Sequence, residues 1–148
     1  MHIIDSQDFL NAHNSARAEV GVGPMTWESQ IAAFSLQYLN THISDCNMVH
    51  SVSQYGENLA WSSGKLSGSD AVRMWVDEKA DYDYNSNSCA PGKVCRQYTQ
   101  VVWRNLVRLG CAKVRCNSGG GTWLVATMLP GATILGRGLT KGFTSTSK

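Results

Sequence analysis

The segment from Val94 to Cys116, VCRQYTQVVWRNLVRLGCAKVRC, constrains the fold more than any other part of the chain. It carries three of the five cysteines. Its first half sets Tyr98, Val101 and Val102 on one face at helical spacing, which predicts a short helix over Tyr98 to Trp103. Its second half mixes apolar Val107, Leu109 and Cys111 with charged Arg108, Lys113 and Arg115 and reads as a strand ending at Cys116.

The remaining elements group around this segment. Asp5 to Val20 predicts a helix, capped by Asp5, with Phe9, Ala12, His13, Ala16 and Val20 on one stripe. Gly21-Val22-Gly23-Pro24 ends it. Thr26 is expected to cap a second helix with Trp27, Ile31, Phe34 and Tyr38 inward. Cys46 to Ser62 reads as mostly irregular with short strands. Ser67 to Asp70 opens a third helix running to about Lys79, with Val72, Trp75 and Val76 inward. The polar run DYDYNSNSCAPGK forms a turn-rich loop before the Tyr98 helix. Asn117 to Gly121 has the composition of a hairpin turn, and Thr122 to Met128 that of a second strand. From about residue 130 a Gly- and Thr-rich tail is expected to run irregularly over the surface. Strands that arrive late among helices favour an α+β layered domain over a parallel βαβ repeat.

A chain of 148 residues is long enough to bury one core, so a single domain over 1–148 is expected. Charged residues make up 16% and the formal net charge is +2, without a basic run or an aromatic-interleaved patch, which argues against nucleic acid. No stretch reaches the length needed to span a bilayer. After Met1 the chain passes directly into HIIDSQDFLNAHN, the start expected of a mature chain without its signal peptide. An odd number of cysteines fits a secreted chain with one left over, or equally a cytosolic chain with five buried thiols. There is no Cys-x-x-Cys pair, which removes the usual thiolate zinc site.

The run YTQVVWRN resembles the signature of the CAP superfamily, which covers cysteine-rich secretory proteins, antigen-five allergens and plant class-one pathogenesis-related proteins. AHNSAR, GVGPMTWESQIAAFS, MWVDEK, YDYNSNSC and RLGCAKVRC resemble the plant members most. The resemblance covers Asp5 to Trp123. It implies a three-layer α-β-α sandwich with a central antiparallel sheet. It also implies secretion to the extracellular space (the apoplast, or the vacuole), a role in defence against fungi and oomycetes, and sterols or other lipids as partners. Pathogen surface or effector proteins are further partners of this reading. The tail PGATILGRGLTKGF keeps only the outline of the plant members' ending, so a signalling peptide is not carried over.

The family lines a central cleft with two His and two Glu. By resemblance these fall on His50, Glu57, Glu78 and position 97, where this chain has Gln97 in place of His. His50, Glu57 and Glu78 are then the metal-ligand candidates. Imidazoles and carboxylates suit zinc, but an amide is no substitute for an imidazole, so zinc is at most weak and no cofactor is required. Read without the family, His50 is a hydrogen-bonded structural histidine, Glu57 a turn residue, and Glu78 a surface charge drawn inward by Trp75 at i−3. His13 and His42 read as structural or exposed. The chain has neither a Gly-x-Ser-x-Gly elbow nor a His-Glu-x-x-His helix, so no catalytic residue is assigned. The rival readings are a metal-dependent hydrolase using the cleft and a diverged paralogue with a weakened metal site. The family's bridges fall on Cys46–Cys116 and Cys89–Cys95. Its sixth cysteine falls at Thr127, which leaves Cys111 as a free thiol.

Overall fold

The structure, a computed structural model, describes residues 6–44, 55–116 and 121–131. Helix α1, Ser6–Glu19, buries Phe9, His13 and Ala16 as their spacing predicts, while Ala12 and Val20 lie half-buried at its margin. Its inward face is completed by Arg17, which is fully enclosed. Asp5, the expected cap, lies outside the described residues. Gly21 takes the left-handed φ of 74° that reverses the chain.

Thr26 and Trp27 do not begin a helix. They form strand β1, Thr26–Trp27, paired in parallel with Arg108 and Leu109. Thr and Trp favour extended backbone, and the Glu28 N–H extends the pairing by donating to Leu109 O at 2.9 Å. Helix α2, Ser29–Asn40, therefore starts later than expected and is rotated from the expected face. Ile31, Ser35 and Leu39 are buried at four-residue spacing, and Phe34 and Tyr38 are half-buried.

Where mostly irregular chain is expected, Gly56–Ser62 forms a continuous strand, β2. Helix α3, Gly68–Val76, is capped by Ser67, whose Oγ accepts from Asp70 N at 3.0 Å. It buries Ala71, Val72 and Trp75, then tightens into a 3-10 segment, Asp77–Asp81. Strands β3, Tyr82–Asp83, and β4, Ser88–Cys89, pair inside the polar loop. Helix α4, Arg96–Val101, leads into the long strands β5, Leu106–Arg115, and β6, Thr122–Pro130.

The main sheet runs β1-β5-β6-β2. Its two long pairings are antiparallel, and β1 adds a two-residue parallel edge that makes the sheet mixed. Side chains alternate across it. Leu109, Cys111, Leu124, Ala126 and Met128 pack with Phe9, Val72, Trp75, Tyr98 and Val101 of α1, α3 and α4. Ala112, Val114 and Val125 face the other way, onto Leu39 of α2. This is an α+β fold of three layers, α-β-α. At Gly110 the helix backbone rests on the sheet, since a Cβ there would lie 2.2 Å from Ala32 N.

The register corrects one cysteine assignment. Thr127 pairs with Gly110, and its hydroxyl bonds Ser35 of α2 at 2.7 Å, whereas Cys111 faces the opposite layer and pairs with Ala126. Ala126, and not Thr127, is the residue across from Cys111. Cys111 is a free, buried thiol, and burial pushes its pKa well up. A disulfide joins Cys89 and Cys95. Cys116 is also disulfide-bonded, and Cys46, its expected partner, lies outside the described residues. So do the turn at 117–120 and the tail beyond 131.

Candidate functional site

Strand β2 is an edge strand, and its outer backbone groups need partners. Helix α4 lies against that edge. Gln100 accepts from Glu57 N at 2.9 Å and donates from Nε2 to Glu57 O and Asn58 Oδ1, both at 3.0 Å. One side-chain amide thereby takes the place of a neighbouring strand. Gln97 adds two further ties: Nε2 donates to Leu59 O at 2.9 Å, and its own carbonyl accepts from Asn58 Nδ2 at 2.9 Å. Trp75 Nε1 donates to the same Leu59 O at 2.9 Å.

Both ends of α4 are held by charge from other elements. Cys95 provides no side-chain cap. Glu78 does so instead, its Oε1 accepting from Tyr98 N at 2.9 Å, with a second bond from the Gln97 N–H. Burial raises the Glu78 pKa, and the two N–H donors work against that rise. At the other end Arg17 donates Nη1 to Val101 O at 2.9 Å and to Trp103 O at 3.0 Å, and Nε to Gly23 O at 2.6 Å. An anion at the helix start and a cation at its end both match the helix dipole. Burial lowers the Arg17 pKa to about 10, helped by nearby Arg104.

His13 lies on α1 one turn before Arg17. Its Nδ1 contacts Phe9 O at 3.1 Å, its ring packs between Phe9 and Trp75, and Nε2 has no partner among the described residues. Burial lowers its pKa to about 4. His42 is half-buried against Tyr38.

Of the expected cleft residues, Glu78 and Gln97 are in direct contact, and the backbone of Glu57 joins them through Gln100. The Glu57 carboxylate faces elsewhere. Its register partner is Thr127, which places it on the α2 side of the sheet, where its charge helps burial raise the Tyr38 pKa. His50 lies outside the described residues. Among the described residues no three His, Cys, Asp or Glu side chains converge as metal ligands. The Glu78 carboxylate is engaged with α4 and the Gln97 amide with β2, so this part of the expected set does not fit zinc.

Sequence reasoning did not single out Asn58, Gln100 or Arg17. Gln100 was within reach, because it stands three residues after Gln97 and shares its helix face. Arg17 carried no such signal, since a charged residue in a surface helix reads as solvated.

Comparison with known proteins gives consistent matches. The family model "CAP: Cysteine-rich secretory protein family" matches residues 10–128. The chain is 60% identical over 121 residues to pathogenesis-related protein 1A1 of Solanum lycopersicum, covering 82% of this chain and 67% of that one. It is also 60% identical over 114 residues to pathogenesis-related protein 1 of Arabidopsis thaliana, covering 77% and 70%. Among solved structures, NaASP2 with Zn2+ matches with a TM-score of 0.67 at 22% identity, covering 90% of this chain and 83% of that one. Schistosoma mansoni venom allergen-like protein 4 matches with a TM-score of 0.64 at 22% identity, covering 86% and 88%. At such identities the structural matches speak for the fold. Among the described residues no helix is long and apolar enough to cross a membrane.

Proposed function

The chain belongs to the CAP, or cysteine-rich secretory protein, family, and from that premise we propose that it is a secreted, plant-type pathogenesis-related protein. Its proposed role is defence against fungi and oomycetes, exercised by binding sterols or other lipids and not by catalysis. The observation that carries this reading is the 60% identity to plant pathogenesis-related proteins over most of the chain. The geometry adds a chemical reason to set a reaction aside. Glu78 Oε1 is engaged with the start of α4 and Gln97 Nε2 with the edge of β2, which favours a structural role for both over a catalytic one.

The test is a titration of the purified chain with labelled sterol and fatty acid, with and without chelator. Micromolar, chelator-insensitive binding is expected. Absence of binding to both lipid classes would defeat the mechanism while leaving the family intact. The expected cleft enters the same proposal only through Glu78 and Gln97, which meet, with His50 kept as the candidate imidazole and the Glu57 carboxylate left out because it lies on the α2 side. Calorimetry should find weak or no zinc binding by the native chain and tighter binding by Gln97→His, which restores an imidazole. Tight native binding would show that Gln97 does not weaken the site.

A further inference from the structure

On the α2 side of the sheet lies a cavity of about 170 Å³, lined by Ile31, Phe34, Tyr55, Thr127 and Leu129, with Glu28 and Arg108 at its border. It is separate from the β2 edge where α4, Glu78 and Gln97 meet. Its lining is mixed: Ile31, Phe34, Leu129 and the Tyr55 ring supply the apolar part, Gln30 adds an amide, and Phe34 meets Tyr55 edge to face with centroids 5.2 Å apart. One of its polar features is Thr127, whose buried hydroxyl pairs with Ser35 at 2.7 Å. Each hydroxyl oxygen has two acceptor positions. Their mutual bond uses one of the four, so acceptor capacity remains on Thr127, which lines the cavity.

The border is electrically closed. Arg108 donates Nε and Nη2 to the two Glu28 oxygens at 2.8 and 3.2 Å, and Nη1 to Pro130 O at 3.2 Å. All three guanidinium nitrogens are engaged, and a ligand anion would have to approach the Glu28 carboxylate as well. The chemistry therefore selects a neutral guest. Size narrows it further, because a volume of about 150 Å³ is enough for one benzene ring. We propose that this cavity is a binding site for a small neutral aromatic alcohol, a single ring lying between Phe34, Tyr55, Ile31 and Leu129 with its O–H donated to Thr127 Oγ1.

The probes are phenol and benzene, titrated into the full chain while amide resonances are followed by NMR. Phenol should give saturable shifts at Ile31, Phe34, Thr127 and Leu129 in the high-micromolar to millimolar range. The double variant Ser35→Ala/Thr127→Val removes both hydroxyls together and leaves neither one orphaned. It should lose about fivefold in phenol affinity and nothing for benzene, in line with one net hydrogen bond. Phe34→Trp, at a half-buried position, fills the space and should abolish binding of both probes with the near-ultraviolet circular dichroism of the core intact. Phenol binding unchanged in the double variant would overturn the recognition of the hydroxyl. Absence of saturable shifts at these residues, or equal binding to Phe34→Trp, would overturn the site.

Discussion

The two faces of the sheet are built differently. On one, three helices lay Phe9, Trp75, Tyr98 and Val101 over the strands, and the side chains there reach almost no solvent. On the other, α2 is the helix that covers the strands among the described residues, with Leu39 over Ala112, Val114 and Val125. A helix of 12 residues is only about 18 Å long, and it rests on the sheet at Gly110. The sheet beside that contact is left to partly buried side chains, a hydroxyl pair and a cavity. The difference teaches that stability is concentrated where helices are many and aromatic, while room for a guest is left where one helix sits too close to need large side chains.

The sharpest way to break this comparison is to cut one aromatic from each face. Phe9→Ala should cost about 4 kcal/mol in urea unfolding, as expected for a buried Phe. Phe34→Ala should cost about 1 kcal/mol, because its ring already borders a void and solvent. Equal losses would mean the faces are equally packed.

Acid should act on the three-helix face next. The folded pKa of His13 is about 4 against 6.5 unfolded, so its contribution is fully present above 6.5 and is lost as pH falls through that window. The loss reaches about 3 kcal/mol below pH 4, and His13→Phe should flatten the profile. Glu78 has the opposite sign, because its raised folded pKa favours the native state on the acid side. A wild-type profile that matches His13→Phe between pH 6.5 and 4 would remove His13 from the account.

Cysteine placement tests which residue faces which layer. Ala126→Cys stands across from Cys111 and should oxidise to a bridge worth about 2 kcal/mol. Thr127→Cys lies on the α2 face and should leave Cys111 titrating as a thiol after unfolding. A bridge in the second variant would reverse the assignment of faces. The smallest effect belongs to Ser35→Ala/Thr127→Val, which should change stability by less than about 1 kcal/mol because both partners of the bond are removed together.

Much of the fold was legible in the sequence. Helices α1, α3 and α4 and the β5–β6 pair follow from apolar spacing and turn residues, which are local signals. What could not be read depended on partners distant in the chain. Thr26 and Trp27 became a strand because Arg108 and Leu109 stood ready to pair with them. α2 turned Ser35 inward because Thr127 offers a hydroxyl. Thr127 was assigned to Cys111 by family resemblance, and only the strand register shows that it faces the other way. Within the candidate site, Glu78 and Gln97 were found by motif. Their commitment to the ends and edges of other elements was hidden, because a capping carboxylate and an exposed one have the same sequence.

The amide of Gln100 on Glu57 has a consequence for how the chain behaves in company. Until α4 docks, β2 presents its outer N–H and C=O groups to any extended segment of another molecule. Gln100 is 43 residues away from Glu57, so the shield arrives only after a long loop has closed. Folding is then a race between an intramolecular partner at fixed effective concentration and intermolecular strand addition that grows with protein concentration. Refolding at rising protein concentration should therefore lose monomer to strand addition, and at Glu57 the shield is a glutamine that lies outside the apolar core.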